Sequence, residues 1–189
     1  MTDWPILSVL IFLPTVGAAF VFVIRGEAEI VAQNARNVAL WTSLITFALS
    51  LLLWTGFDTG TAAFQFEERA PWIAEGIDYH LGVDGISMLF ILLTTLLTPI
   101  CVMASWESIQ TRVKEYMIAF LIMETMMIGV FSALDMVLFY LFFEGGLIPM
   151  FLIIGIWGAE NRVYATFKFF LYTLLGSVLF LLAILWLFF

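Results

Sequence analysis

Six long apolar runs, each containing at most one charged residue, are the feature that most constrains this sequence. They cover residues 5–24, 38–55, 86–105, 116–134, 136–157 and 164–189. A helix needs about 20 apolar residues to cross a hydrocarbon layer about 30 Å thick, and these runs have about that length. They are continuously apolar, whereas a closed barrel requires strands that alternate polar and apolar residues. The sequence therefore predicts an all-α, polytopic transmembrane bundle of about six spanning helices in a single membrane domain.

The composition excludes several classes of function. Of the 189 residues, 63% are hydrophobic and 12% are charged, whereas a soluble domain has about 25% charged residues. The net charge of −8 argues against nucleic acid or another polyanion as the partner. A single cysteine, Cys101, and a single histidine, His80, exclude a disulfide framework and a Cys/His cluster for zinc, iron–sulfur or haem. We predict that this chain itself holds no redox centre and no cofactor.

Basic residues close to the runs predict how the bundle lies in the membrane. Lys and Arg near spans are retained on the cytoplasmic side or its mitochondrial equivalent. One set of connections carries Arg25, Arg36, Arg112, Lys114 and Arg162. The other set carries Arg69 alone. We therefore expect the amino terminus and the loop of residues 57–85 to lie outside.

The predicted outer loop, residues 57–85, contains signs of local structure. Phe64 and Phe66 alternate around Gln65, a pattern that indicates a short outer hairpin. His80 is a lone imidazole in this loop, and we expect it to make an ordinary surface hydrogen bond rather than bind metal or shuttle protons.

Glu144 is the sharpest functional signal in the sequence. It lies nine residues beyond Asp135, at the outer end of the fifth run, which places it about 13 Å deep, near the middle of the membrane. Gly145, Gly146 and Pro149 follow it and weaken the helix, because proline has no amide to donate and glycine admits water or another helix. Such a patch beside a buried carboxyl suits proton transfer. The alternative is a carboxyl that only holds helices together.

Two more ionisable residues, Glu124 and Lys168, lie inside the predicted spans. Glu124 is eight residues past Tyr116, about 12 Å from the inner surface. Lys168 lies only a few residues beyond Arg162, so its side chain either extends to the inner headgroups or takes part in the bundle. For Glu124 we predict an ion pair with Lys168, a place in a proton path, or both.

Two smaller features predict local contacts. Asp135 precedes the fifth run and is typical of a helix cap. Thr173 and Ser177, with Gly176 between them, predict a small-residue contact with a neighbouring helix.

Four stretches of the sequence resemble a known family. Residues 133–150 read Ala-Leu-Asp-Met-Val-Leu-Phe-Tyr-Leu-Phe-Phe-Glu-Gly-Gly-Leu-Ile-Pro-Met, residues 155–158 read Gly-Ile-Trp-Gly, and residues 168–173 read Lys-Phe-Phe-Leu-Tyr-Thr. Together with Leu-Gly-Val-Asp-Gly-Ile-Ser at residues 81–87, they closely resemble the antiporter-like M subunits of proton-pumping NADH:quinone oxidoreductase, respiratory complex I, whose mitochondrial form is chain 4. The resemblance covers essentially the whole chain.

The resemblance carries expectations about fold, mechanism and partners. It implies an antiporter-like fold that is incomplete here, because family members are far longer, so we expect an amino-terminal portion. It also implies that Glu144 works with a lysine of a seventh helix in proton translocation. NADH, FMN, iron–sulfur clusters and quinone would be held by partner subunits, and other membrane subunits, especially neighbouring antiporter-like ones, would be the partners. The location would be the bacterial inner membrane, or the mitochondrial inner membrane for an organellar protein.

Two other functions stay open at this point. The same fold serves subunits of cation/proton antiporters and of membrane-bound hydrogenases. From a different class, the chain is a passive helical anchor or assembly protein in which Glu144 only pairs with another helix. A proton-translocating subunit requires a Glu144 carboxyl that binds and releases a proton, whereas a passive anchor does not.

Overall fold

A computed structural model describes residues 4–74 and 76–188 of the chain. The elements, in order, are α1 Ile6–Val23, α2 Ala28–Gly56, β1 Gln65–Ala74, β2 Ile77–Val83, α3 Gly85–Ser108, α4 Val113–Ser132, α5 Met136–Trp157 and α6 Arg162–Phe188. Six helices in the described part of the chain are long and apolar enough to cross a membrane. The predicted architecture of about six spanning helices is confirmed.

Helix α2 begins ten residues before the predicted span, at Ala28 instead of residue 38. Its 29 residues make about 43 Å of helix, more than the hydrocarbon thickness of about 30 Å. The additional turns contain polar residues such as Gln33 and Asn34. A search for apolar runs finds only the part of a helix that lies in hydrocarbon, so it misses turns that extend beyond it.

Strands β1 and β2 form an antiparallel hairpin, as the alternation of Phe64 and Phe66 predicts. Gly76 in the turn has φ of 89°, in the left-handed region that favours glycine. The hairpin packs on the α4–α5 connection, where the Leu134 amide donates to the His80 carbonyl oxygen at 2.9 Å. We call this side of the bundle the hairpin end, and the other side the opposite end.

Helix α4 is the centre of the bundle and packs against α1, α2, α3 and α5. Within the described residues, α6 packs against α5 alone. Two apolar clusters form the core. The cluster nearer the hairpin end includes Leu10, Leu53, Ile91 and Ile128. The cluster nearer the opposite end includes Val21, Ala39, Val102, Met117 and Leu121.

Three helices, α1, α3 and α5, start at the hairpin end, and a carboxylate caps each start. Asp84 accepts from the Ile86 and Ser87 amides at the start of α3. The hydrogen bonds from Ser87 are the main reason that the pKa of Asp84 lies below its ordinary value. Asp135 caps α5 through the Val137 and Leu138 amides, which confirms its predicted role.

The cap of α1 comes from the hairpin. The residue before the helix is Pro5, which provides no side-chain cap. Instead, Glu68 of β1 accepts from the Leu7 amide at 2.7 Å and from the amide and hydroxyl of Ser8. The Ser8 hydroxyl lies 2.7 Å from the Tyr79 hydroxyl. Burial is the main cause that raises the pKa of Tyr79, and the nearby Glu68 charge also raises it.

Basic side chains cap the same three helices where they end, at the opposite end of the bundle. Lys114 donates to the Phe22 and Ile24 carbonyls, both at 2.8 Å, at the end of α1. Arg36 donates to the Ile109 carbonyl at 2.8 Å, just past α3. At the end of α5, Arg162 donates to the carbonyl of Ile156 at 2.9 Å. These contacts match the negative end of each helix dipole with a cation.

Candidate proton-transfer site

Glu144 lies in the third turn of α5, nine residues beyond the Asp135 cap. This spacing along a continuous helix puts its Cα about 13 Å from the start of the helix. Its side chain is half-buried between α5 and α6. The carboxyl is therefore neither exposed at an interface nor enclosed in the main core.

Ser177 of α6 is the hydrogen-bond partner of Glu144. Its hydroxyl donates to Glu144 Oε2, and only 2% of the Ser177 surface is exposed. The Tyr140 hydroxyl lies 3.3 Å from the same serine oxygen. Tyr140 is four residues before Glu144 and so lies on the same face of α5. The carboxyl and two hydroxyls form a small polar cluster across the α5–α6 contact.

The residues next to Glu144 allow helix α4 to pack closely against α5. A side chain at Gly145 would come within 2.9 Å of Met126 Sδ on α4, so glycine allows α4 and α5 to pack closely here. Pro149 lies within the helix and has no amide to donate to the Gly145 carbonyl. A backbone acceptor one residue from the carboxyl is thus left without its helical hydrogen bond.

A groove of about 480 Å³ lies beside this cluster, between α5 and α6. It is lined by Phe139, Phe143, Tyr172, Thr173, Gly176, Ser177 and Phe180. Among the described residues, no atom beyond its chain neighbours and the backbone of its own helix lies within 4 Å of the position that a Cβ would take at Gly176. The polar cluster therefore borders an open, mainly aromatic surface of the six described helices.

Glu124 lies on the other side of α4 from this site. It is only 1% exposed, and neither carboxyl oxygen has a hydrogen-bond partner among the described residues. Met126 of α4 faces Gly145 of α5, and two residues along a helix correspond to a rotation of about 200°. Glu124 therefore points away from α5 and from Glu144.

The structure does not bring Glu124 and Lys168 together. Within the described chain, α4 and α6 make no contact, because α5 lies between them. Lys168 is exposed, and its Nζ lies 5.5 Å from the ring centroid of Tyr164, one turn nearer the opposite end. The predicted ion pair is not formed, and the position of Nζ agrees with a side chain that extends to the headgroups.

Sequence reasoning missed the partners of Glu144. Ser177 of α6 is buried against α5, so the predicted small-residue contact is found there. Thr173 instead donates to the Phe169 carbonyl of its own helix. The small residues Thr173, Gly176 and Ser177 predicted a helix contact, but they did not identify Glu144 as the residue that Ser177 contacts. His80 lies 3.3 Å from Glu67, an ordinary surface contact of the kind predicted.

Two families match consecutive parts of the chain. Residues 9–132 match the amino terminus of NADH-ubiquinone oxidoreductase chain 4. Residues 133–189 match the transmembrane family of NADH:quinone oxidoreductase and Mrp antiporters. The boundary between the matches falls in the connection between α4 and α5.

Curated relatives cover nearly the whole chain. NADH-quinone oxidoreductase subunit M of Rhodobacter capsulatus is 58% identical over 94% of this chain and 35% of its own length. NADH-ubiquinone oxidoreductase chain 4 of Marchantia polymorpha is 49% identical over 97% of this chain and 37% of its own length. The chain thus spans little more than a third of the length of these relatives.

A solved structure of an archaeal respiratory membrane complex, the membrane-bound sulfane sulfur reductase, contains a chain with a similar fold. The TM-score is 0.75 and the identity 22%, over 95% of this chain and 27% of the other. This similarity supports the fold alone.

Proposed function

Since the chain belongs to the NADH-ubiquinone oxidoreductase chain 4 family, we propose that it serves as an antiporter-like, proton-translocating membrane subunit of an NADH:quinone oxidoreductase. In this role it moves protons and transfers no electrons. NADH, FMN, iron–sulfur clusters and quinone are bound by partner subunits, and neighbouring antiporter-like subunits are its contacts in the membrane.

The division of the family matches favours this function over the other antiporter-like ones. The match over α5 and α6 is shared between NADH:quinone oxidoreductase and Mrp antiporters and does not separate them. The match over residues 9–132 is to chain 4 itself. The relatives at 58% and 49% identity also carry the oxidoreductase names.

The single observation that carries the mechanism is the Glu144 carboxyl, placed deep in α5 and hydrogen-bonded by Ser177 of α6. A carboxyl in hydrocarbon favours its neutral form, because ionisation there costs several kcal/mol. A hydroxyl that donates to a carboxylate stabilises the anion by about 1.5–3 kcal/mol. Changing that contact thus shifts the balance between proton binding and release.

The free energy of this hydrogen bond is comparable to the cost of moving a charge against a membrane potential. Moving one charge across 100 mV costs about 2.3 kcal/mol, which is within the range of one charged hydrogen bond. A shift of α6 against α5 that makes or breaks the Ser177 contact would change the free energy of the carboxylate by an amount comparable to this cost. The resemblance supplies a further partner, the lysine of a seventh helix.

The proposed orientation puts the hairpin end outside and the opposite end in the cytoplasm or its mitochondrial equivalent. It rests on the basic residues of the opposite end, among them Arg36 and Lys114. In this orientation, Glu144 lies about 13 Å along α5 from the outer end of that helix.

Replacing Glu144 by Gln tests this function, because Gln keeps the size and hydrogen bonding of the side chain and removes the titrating proton. In the complete complex in sealed vesicles, Glu144→Gln should assemble but lose most proton pumping and, through coupling, much of its quinone-reductase turnover. Glu144→Asp should retain part of both. Pumping is measured by the quenching of a pH-sensitive dye.

Glu160→Gln is the matched control, because Glu160 is exposed in the α5–α6 connection. It makes the same chemical change outside the site and should pump normally. Normal pumping by a fully assembled Glu144→Gln complex would refute the proposal and favour the passive anchor.

A further inference from the structure

Two grooves meet at the opposite end of the bundle, on either side of the start of α4. A polar groove of about 260 Å³ lies between the starts of α2 and α4. An apolar groove of about 510 Å³ lies between α1, α4 and α5. Lys114 and Glu115 line both grooves, so the two form one continuous surface. Glu144 and Ser177, the residues of the proposed proton transfer, line neither of them.

The polar groove is bordered by two helix starts that no side chain caps. Ala28 and Val31 belong to the first turn of α2, and Val113 belongs to that of α4. Neither helix has a side-chain hydrogen bond at its cap, whereas carboxylates cap α1, α3 and α5 at the hairpin end. The first amides of a helix and the positive end of its dipole favour an anion. An anion in this groove would supply the negative group that both helices lack.

Cations at the polar groove have no carboxylate partner among the described residues. Arg112 lines the groove and is exposed. Lys114 keeps a third N–H after donating to two carbonyls at the end of α1. Arg36 is only 8% exposed, its Nε has no hydrogen-bond partner in the described part of the chain, and its Nη2 lies 3.3 Å from Oε1 of Gln110, which lines the groove. The charged pairs found among the described residues both lie in the hairpin.

Carboxylates are fewer than cations along this groove. Among the described residues, Glu115 is the one carboxylate that lines it, opposed by Arg112 and Lys114. Glu27 and Glu29, at the start of α2, are exposed and do not line it. The balance of lining charges is therefore positive, and the buried guanidinium adds to it.

The apolar groove continues from Lys114 towards the middle of the membrane. Along α4 it extends to Met126, twelve residues further on, which is about 18 Å of helix and close to half of a hydrocarbon layer about 30 Å thick. Ile122 of α4 and Ile148 of α5 form part of its walls, and Gly145 lies at its deep end. Its length and depth match one acyl chain of the leaflet at this end of the bundle.

We propose that the joined grooves bind an anionic phospholipid, with its phosphate in the polar groove and one acyl chain in the apolar groove. The phosphate accepts hydrogen bonds from Arg112, Lys114 and the first amides of α2 and α4. A zwitterionic lipid brings a cation of its own, so the positive groove favours an anionic one. A free phosphate has no acyl chain to fill the apolar groove. This inference goes beyond the proposed function and does not depend on it.

Photo-cross-linking in the complete complex tests this site. The complex is placed in phosphatidylcholine vesicles that contain a little phosphatidylglycerol with a diazirine near the end of one acyl chain, and labelled peptides are identified by mass spectrometry. Label should concentrate at Ile122, Met126 and Ile148, which line the apolar groove. The same diazirine on phosphatidylcholine should label them about fivefold less, or weaker still, since each basic residue near a headgroup contributes about that factor. Equal labelling by the two lipids, or no label at these residues, would overturn the proposal.

Charge variants test the polar groove. Arg112→Gln should reduce labelling by phosphatidylglycerol about fivefold, whereas Glu115→Gln should increase it, because the carboxylate repels the phosphate. Arg112 is preferred to Lys114 and Arg36, which also close the ends of α1 and α3. Arg162→Gln is the matched control, since it removes a cation at the same end of the bundle but outside both grooves, and it should leave the labelling unchanged. Equal losses in Arg112→Gln and Arg162→Gln would mean that surface potential alone attracts the lipid, and would refute the site.

A steric variant tests the apolar groove. Ile148 is 63% exposed, so Ile148→Trp fills the groove without disturbing the core, and labelling of Ile122 and Met126 should fall severalfold. Met103→Trp is its control, because Met103 is 52% exposed on α3 and lines neither groove. Undiminished labelling in Ile148→Trp would contradict an acyl chain in the groove. Where Ile148→Trp does not assemble, the charge variants decide the matter.

Discussion

Removing the Glu68 carboxylate should weaken the start of α1, although Glu68 lies 60 residues away in the sequence. Its two carboxylate oxygens accept hydrogen bonds from the Leu7 amide at 2.7 Å, from the Ser8 amide at 3.2 Å and from the Ser8 hydroxyl. Pro5 offers no replacement. In Glu68→Ala, the Leu7 and Ser8 amides lose their acceptor at the start of a helix, and this contact between the hairpin and α1 is lost.

The magnitude follows from two known effects. Losing a helix cap costs about 0.5–2 kcal/mol. Losing a negative charge at the positive end of a helix dipole costs a further 0.3–1 kcal/mol, roughly. A loss of about 2 kcal/mol in a chain of this size should lower the midpoint of thermal unfolding by roughly 4–8 °C. Glu68→Gln keeps one acceptor oxygen and should lose about half as much.

Thermal unfolding of the purified protein in detergent measures the loss, and hydrogen exchange at the Leu7 and Ser8 amides localises it. Glu67→Ala is the matched control, since Glu67 is half exposed and its ion-pair partner is His80, at 3.3 Å. Its effect should be within about 1 kcal/mol. If Glu68→Ala unfolds at the wild-type temperature with both amides still protected, the cap does not stabilise α1 and the reasoning is wrong.

Two further predictions concern the cap of α3 and the orientation of the bundle. Because the pKa of Asp84 is lowered in the folded state, its stabilising effect is present above the unfolded pKa and is lost as pH falls through the folded value. Asp84→Asn should reduce the acid sensitivity of the unfolding temperature, and an unchanged pH profile would contradict this. In a Cys101→Ala background, Thr61→Cys should react with an impermeant thiol reagent from outside only, and Arg112→Cys from inside only. The reverse labelling would invert the proposed orientation.

Features that depend on neighbouring residues in the sequence could be predicted. The six spans follow from apolar length, and the Asp135 cap follows from its place just before α5. The hairpin follows from alternation around Gln65. In each case, the information lies within a few residues of the element, so no knowledge of the fold is needed.

Contacts between distant helices could not be predicted in the same way. The depth of a residue along its own helix does not say that α5 lies between the helices of Glu124 and Lys168. Ser177 was identifiable as a small residue at a helix contact, yet its donation to Glu144 requires the rotation of α6 about its axis. The proton-transfer role of Glu144 rests on depth and resemblance, and it stays a prediction.

The helix caps give the charge asymmetry of the chain a physical basis. Helices α1, α3 and α5 each begin beside a carboxylate and end beside a cation, the pairs being Glu68 and Lys114, Asp84 and Arg36, Asp135 and Arg162. The positive end of each of these dipoles lies at the hairpin end, so acids are favoured there and bases at the opposite end. Three of the basic residues that indicate the orientation therefore also close helix ends. Topology and cap stability select the same charges, because a base retained on the inner side lies where these helices present their unpaired carbonyls.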